Sequence, residues 1–195
     1  MPATAIVDWV AGRVTGRILF TQECPARPVH VDVDVRGLVP GHMHGFHIHA
    51  KPAMGADSLQ QSCAACGGHF NPLNQPHGSV FVDGTARHVG DLINNLLADD
   101  DGCAQVQFQD DLLSLIPTPQ RPYTVVGKSI VIHEGTDDLG QQGSVIRPPC
   151  RVGKTVRPGV RDERRKYAEA AQRKESTVTG NAGARRACGN IRRVL

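Results

Sequence analysis

VHVDVDV, residues 29–35, alternates apolar and polar side chains without a break. Successive side chains of an extended chain point to opposite sides. Val29, Val31, Val33 and Val35 therefore share one face, and His30, Asp32 and Asp34 the other. One face suits a core and one suits water, which is the pattern of a half-buried antiparallel strand. Working outward, residues 5–10 and 17–20 flank Gly12 and Gly16 and read as a hairpin. Residues 37–41 read as a turn and 46–49 as the next strand. Residues 80–82, 104–108 and 129–133 add further short strands. Short strands separated by turn residues predict an antiparallel sandwich or barrel.

The 195 residues are enough for one domain with a full core, and residues 1–195 are read as a single domain. The 21 glycines and 13 prolines suit a β-rich, loop-rich chain better than a helical one. No apolar run approaches the roughly 18 residues of a membrane-spanning helix, so no membrane association is expected. The first ten residues carry Asp8 and lack a basic start followed by a long apolar stretch. They do not read as a secretory signal, and a cytoplasmic location is expected.

The net charge of +3 is unevenly spread. Residues 144–174 hold 10 Lys/Arg against 3 Asp/Glu, while the rest of the chain holds 12 against 16. This basic insertion lies in the second of two stretches without strand alternation, 50–91 and 135–181, and loops of such length in compact domains are usually functional. Within it, DERRKYAEAAQRK (162–174) has the composition of a short exposed helix. A basic segment without interleaved aromatics gives little reason to expect nucleic-acid binding.

The histidines carry the chemical signal. On a strand, His47 and His49 share one face, while Phe46 and Ile48 share the other and enter the interior. Both imidazoles can reach one metal ion. His69, His77, His88 and Asp91 sit in a single loop and offer three nitrogens and one oxygen, a donor set suited to a closed tetrahedral zinc site. Such a loop cannot bury enough apolar surface to order itself, and a metal would order it. Solvated surface histidines are the other reading of the same residues. His133 closes the run 129–132 and precedes Glu134, Asp137 and Asp138, carboxylates able to orient metal-bound imidazoles. His30, His42 and His44 are read as non-ligands.

These residues lie in five blocks: GFHIH (45–49), HFNP (69–72), RHVGDL (87–92), HEGTDDLG (133–140) and GNAGARRACG (180–189). Together and in this order they closely resemble the copper/zinc superoxide dismutase family, over nearly the whole chain apart from the basic insertion. The resemblance implies an all-β fold, an eight-stranded antiparallel Greek-key barrel of immunoglobulin-like sandwich type with two long functional loops. It implies copper held by His47, His49, His69 and His133, and zinc held by His69, His77, His88 and Asp91, with His69 shared. Asp137 matches the carboxylate that links a copper histidine to a zinc histidine. Arg185 matches the arginine that attracts the anion, which with His69 makes up the expected catalytic pair. Cys63 and Cys188 match the family's disulfide. The implied activity is dismutation of superoxide to dioxygen and hydrogen peroxide, an antioxidant function carried by a redox-cycling copper beside a structural zinc.

The implied partners are superoxide, a second copy in a homodimer, and a copper chaperone. Lys51, Pro52, Arg192 and Arg193 depart from the apolar and small residues usual at the family's dimer seam. Val178 stands where a guiding lysine is usual, and the basic insertion reads either as a replacement for its field or as a solvated addition. Cys63-Ala-Ala-Cys66 also admits a redox or metal-clip reading. Cys24 and Cys103 are expected as small core residues, and Cys150 has no assigned task. The alternative function is a non-enzymatic copper-delivery or decoy protein of the same fold. Copper-delivery proteins of this kind add Cys-x-x-Cys and Cys-x-Cys elements, and a decoy loses ligands, whereas here every ligand position is filled.

Overall fold

The computed structural model describes residues 1–81, 83–140, 175–176 and 178–194. Most of the basic insertion, including the helix expected at 162–174, and Cys150 lie outside the described residues. The strands are β1 (Ala3–Gly12), β2 (Thr15–Gln22), β3 (Val29–Arg36), β4 (Met43–His49), β5 (Asp91–Leu97), β6 (Cys103–Asp110), β7 (Ser129–His133) and β8 (Arg185–Val194). One short helix, α1 (Leu59–Ala64), precedes β5. Its start is capped by Ser58, whose hydroxyl accepts the Gln61 N–H at 3.2 Å.

All eight strands form one antiparallel sheet in the order β5-β4-β7-β8-β1-β2-β3-β6, and its outer strands β5 and β6 approach each other to nearly close a barrel. The chain leaves β3 for β4 and β6 for β7 without pairing them directly, which is the Greek-key connection. The interior follows from register. Ala5 pairs with Phe20, Phe20 with Val31, and Val31 with Phe108, so one row of inward residues crosses four strands with a small side chain at its start. Val29, Val31, Val33 and Val35 are all buried, as their alternation predicts, and Phe46 and Ile48 join the same core.

Two register shifts fall at the end of the barrel where the histidines gather. Between β4 and β5, Phe46 pairs with Asn94 but His47 pairs with Asp91. Between β7 and β8, Ile132 pairs with Ala187 but His133 pairs with Arg185. The first is a slip of two residues and the second of one; a one-residue slip exchanges the faces of a strand, and strand irregularities re-aim side chains near functional sites. Ala187 points into the core, so unbroken alternation would send Arg185 inward too. The shift puts it on the face of His133 instead.

Some expectations differ from the fold. Val80 and Phe81 lie in a turn, not in a strand, and Val82 is outside the described residues. Here the peptide must double back, with the Asp83 N–H donating to the Ser79 C=O at 2.8 Å. Cys24 and Cys103 are half-buried, because one lies in the β2–β3 turn and the other opens a strand next to a turn. Strand β5 begins within the stretch expected to be loop.

Phe20 has no exposed surface. Phe20→Ala is expected to lower unfolding stability by about 3–5 kcal/mol in urea titration. A loss below about 1 kcal/mol would show that this row does not form the core.

Candidate metal centre

The donor residues come from β4, the loop before β5, the first residue of β5 and the end of β7. A backbone junction gathers them. Phe70 N–H donates to Ile48 C=O at 2.9 Å, Ile48 N–H to Gly90 C=O at 2.9 Å, and Gly90 N–H to Phe70 C=O at 2.8 Å. A side chain at residue 90 would stand 2.2 Å from the Ile48 carbonyl oxygen, so only glycine permits this approach. The junction sets His69 opposite His49 and carries His88 and Asp91 beside them.

Two groups of four result: His47, His49, His69 and His133, and His69, His77, His88 and Asp91, all buried, with ligand atoms inside each group within 4.8 Å of one another. His69 belongs to both, the residue that the family resemblance implies is shared. Its ring lies 4.1 Å from that of His47, centroid to centroid.

The hydrogen bonds decide which nitrogens are available. His47 Nε2 faces Asp137 Oδ2 at 2.5 Å, His49 Nδ1 faces the Gly67 carbonyl at 2.8 Å, and His133 Nδ1 faces the Gly183 carbonyl at 3.0 Å. Each of these rings uses one nitrogen to fix its orientation and leaves the other free to ligate. His47 Nδ1, His49 Nε2, His69 Nε2 and His133 Nε2 are buried and without a hydrogen-bond partner. A buried polar atom so placed costs about 1–3 kcal/mol, and four together suit a cation that accepts their lone pairs. In the second group, Asp91 Oδ1 lies 2.7 Å from His69 Nδ1 and 3.1 Å from His88 Nδ1, and Asp91 Oδ2 lies 3.1 Å from His77 Nδ1. His77 Nδ1 is out of hydrogen-bond alignment and is also unpartnered. Donors about 2.0–2.2 Å from a tetrahedral zinc would stand somewhat over 3 Å apart, so the second set needs little movement to close on one ion.

Protonation favours the same use. Burial pulls His47 and His49 below the ordinary histidine value, Asp137 working the other way on His47 and the His69 ring adding to the fall at His49. Burial, then the His47 ring, brings His69 down to about 3, and burial brings His133 down to about 4. Metal ligation needs neutral imidazole, which these rings already are at neutral pH. Burial also works downward on His77, but its bond to Asp137 and the nearby Asp91 carboxylate carry it up to about 9, so a cation there must displace a proton. Burial opposes ionisation of Asp91 and Asp137, yet their histidine partners hold both well below the usual carboxylate range.

Asp137 ties the groups together, with Oδ2 on His47 and Oδ1 3.1 Å from His77 Nε2. Arg185 lies beside the first group, paired across the strands with His133. Its guanidinium donates to the carbonyls of Cys63 and Gly67, and it borders a groove of ≈ 630 Å³ with Ser58, Leu59, Gln60, Ala64, Gly183 and Ala184. Cys63 and Cys188 are disulfide-bonded. Of the remaining histidines, buried His44 bridges the Val39 N–H and the His133 carbonyl, and exposed His42 and half-buried His30 lie on the surface.

Other supporting residues were assigned no role from the sequence, although Arg87 opens the RHVGDL block. Fully buried Arg87 donates to the carbonyls of His88 and Asp91 and pairs with Asp110 at 2.7 Å. Asn95 accepts the Asp137 N–H at 2.8 Å and donates to its carbonyl at 3.0 Å. Both act on backbone atoms, which carry no residue code.

A family model described as copper/zinc superoxide dismutase matches residues 14–161. The chain belongs to the copper/zinc superoxide dismutase family. The superoxide dismutase [Cu-Zn] of Onchocerca volvulus is 36% identical over 191 residues, covering 98% of this chain and 96% of the relative. The superoxide dismutase [Cu-Zn] of Saccharomyces cerevisiae is 35% identical over 189 residues, covering 97% and 96%. That of Paramecium bursaria Chlorella virus 1 is 34% identical over 190 residues, covering 97% and 78%. The family's two metals, copper and zinc, meet two four-residue groups here.

Gly180 has φ +65°, and a Cβ there would lie 2.1–2.4 Å from the Asp137 carboxylate atoms. Gly180→Ala is expected to push Asp137 off His47 and His77 and to lower metal affinity about 10–100-fold, as loss of such orienting partners does. Competition with a chromophoric chelator reads this, and unchanged affinity for both metals would contradict the linking role.

Proposed function

We propose that the chain catalyses dismutation of superoxide, converting two superoxide anions and two protons to dioxygen and hydrogen peroxide. The observation that carries this reading is the convergence of four partnerless buried ring nitrogens on one point, beside a second donor set that shares His69. Bound copper would supply one-electron redox chemistry, and bound zinc a fixed charge without redox change. His47, His49, His69 and His133 are the copper ligands in this proposal, an all-imidazole set suited to that ion. His69, His77, His88 and Asp91 are the zinc ligands.

The chain's own residues do the rest. Arg185, held by two carbonyls beside the disulfide, presents positive charge on the side of His133 and His49 and would attract and orient the anion. Asp137 fixes the tautomers of His47 and His77 by accepting from their Nε2 atoms. His69 has Nδ1 committed to the second group and Nε2 toward the first, so a proton held at Nε2 would be delivered beside the anion. Copper-delivery and decoy readings gain nothing from a site in which both donor groups are complete.

The proposal extends to a homodimer, loading by a copper chaperone and a cytoplasmic location. Arg192 ion-pairs with Asp8, and Arg193 donates to the Leu115 carbonyl at 2.9 Å. Their charges are thus met within the chain, which lowers the cost of placing them near a seam. The donors are buried, which favours delivery of copper over capture from solution. Full burial of Cys63 and Cys188 shields their bond from cytosolic reductants. Among the described residues no helix is long and apolar enough to cross a membrane.

His133→Ala is expected to abolish dismutation while one zinc per chain remains, and Asp91→Ala to lose zinc first, both read by metal analysis beside a superoxide assay. Arg185→Ala should lower kcat/KM about tenfold or more and flatten its salt dependence. Full dismutase activity in metal-free protein would overturn the mechanism.

A further inference from the structure

Next to the groove that Arg185 borders, three cysteines share one small cluster. Cys63, Cys66 and Cys188 are each fully buried and pack together with Ala53 and Val131. Cys63 and Cys188 are bonded across 125 positions of sequence, and Cys66 is free. Cys66 follows the end of α1, and its N–H donates to the Cys63 carbonyl at 3.1 Å while its own carbonyl accepts the Lys51 N–H at 3.0 Å. The helical turn therefore continues through it. Residues three apart on such a turn are side-chain neighbours with Cβ atoms about 5–6 Å apart. A disulfide needs Cβ atoms about 3.5–4.5 Å apart, so the turn must tighten by about 1–2 Å for the two sulfurs to bond.

We propose that Cys66 is an internal thiol–disulfide exchange partner, so that Cys63 pairs with either Cys188 or Cys66. The Cys66 thiolate attacks Cys63 Sγ, a Cys63–Cys66 bond forms as the Cys63–Cys188 bond breaks, and Cys188 leaves as the thiolate. The proton given up by Cys66 is taken up by Cys188, and no outside oxidant or reductant is consumed. Burial pushes the Cys66 thiol up, with the Ser129 hydroxyl and Arg185 pulling the other way. Inside the closed cluster the sulfur stays a thiol, and the Cys63–Cys188 pairing persists until the cluster opens.

The choice of partner matters beyond the sulfurs. Pairing with Cys188 ties the α1 segment covalently to β8, the strand that carries Arg185. Pairing with Cys66 closes a ring within the segment and releases β8. Arg185 is held by the carbonyls of Cys63 and Gly67, on either side of Cys66, so the exchange acts on the seat of that guanidinium.

The test uses the metal-loaded full-length protein, equilibrated in glutathione buffers of graded reduced-to-oxidised ratio, acid-quenched, alkylated and mapped by mass spectrometry. At intermediate ratios a species is expected in which Cys188 is alkylated, while Cys63 and Cys66 resist alkylation in one peptide lacking two hydrogens. If every ratio yields only the Cys63–Cys188 form and forms with both Cys63 and Cys66 alkylated, the proposal is overturned. In Cys188→Ser, oxidised glutathione should join Cys63 to Cys66; finding both alkylated, or each carrying glutathione, also overturns it. The readout is sulfur pairing, so it does not depend on the metal assignment.

Discussion

The imidazole of His69 belongs to both donor groups, with Nδ1 against Asp91 and Nε2 partnerless beside His47, His49 and His133. One ring can serve two cations only if its plane and position are held closely. Backbone bonds hold it. Phe70, Ile48 and Gly90 exchange three hydrogen bonds where the loop crosses β4, and His69 is bridged to His49 at that crossing. Because these bonds involve main-chain atoms in a dry setting, they are strong and cannot be traded for water. The barrel matters to function mainly as the rigid body that fixes this junction.

Around the shared ring, charge is arranged in layers. Asp91 and Asp137 remain ionised despite burial, because each faces histidine nitrogens that favour the charged form. Outside them, Arg87 and Asp110 form a buried pair whose guanidinium also grips the His88 and Asp91 carbonyls. A buried pair of this kind adds little net stability where apolar packing would serve. Its value lies in the fixed geometry it gives to two donor residues. Asn95 does the same for Asp137 through two backbone bonds.

The surroundings of Arg185 are built differently. Arg185 reaches the histidine face through a register shift and is seated on carbonyls of the segment that carries α1. That segment is bound to β8 by the Cys63–Cys188 disulfide and by Asn190, which exchanges bonds of 2.7 and 3.0 Å with the Ala53 backbone. The residue proposed to meet the anion and the element that seats it are therefore one mechanical unit.

Alternation in residues 29–35 and the other short strands predicted an antiparallel sandwich or barrel, and the apolar pair Phe46 and Ile48 the outward face of His47 and His49, because a strand's period of two is a local property of the chain. Donor types and their blocks likewise marked the seven residues that the structure gathers into two groups. Strand β5 escaped notice because its sequence, DLINNLL, lacks clean alternation and holds Asn94 at φ 63°. Residues 80 and 81 misled because apolar and aromatic content favours a strand, while the loop's own hydrogen bonds turn the chain there. Tertiary structure alone decided which nitrogen of each ring is free, that Arg185 faces His133, and that Arg87 and Asn95 hold the site. Those outcomes depend on backbone carbonyls and strand register contributed by distant segments, and no local reading of side chains contains them.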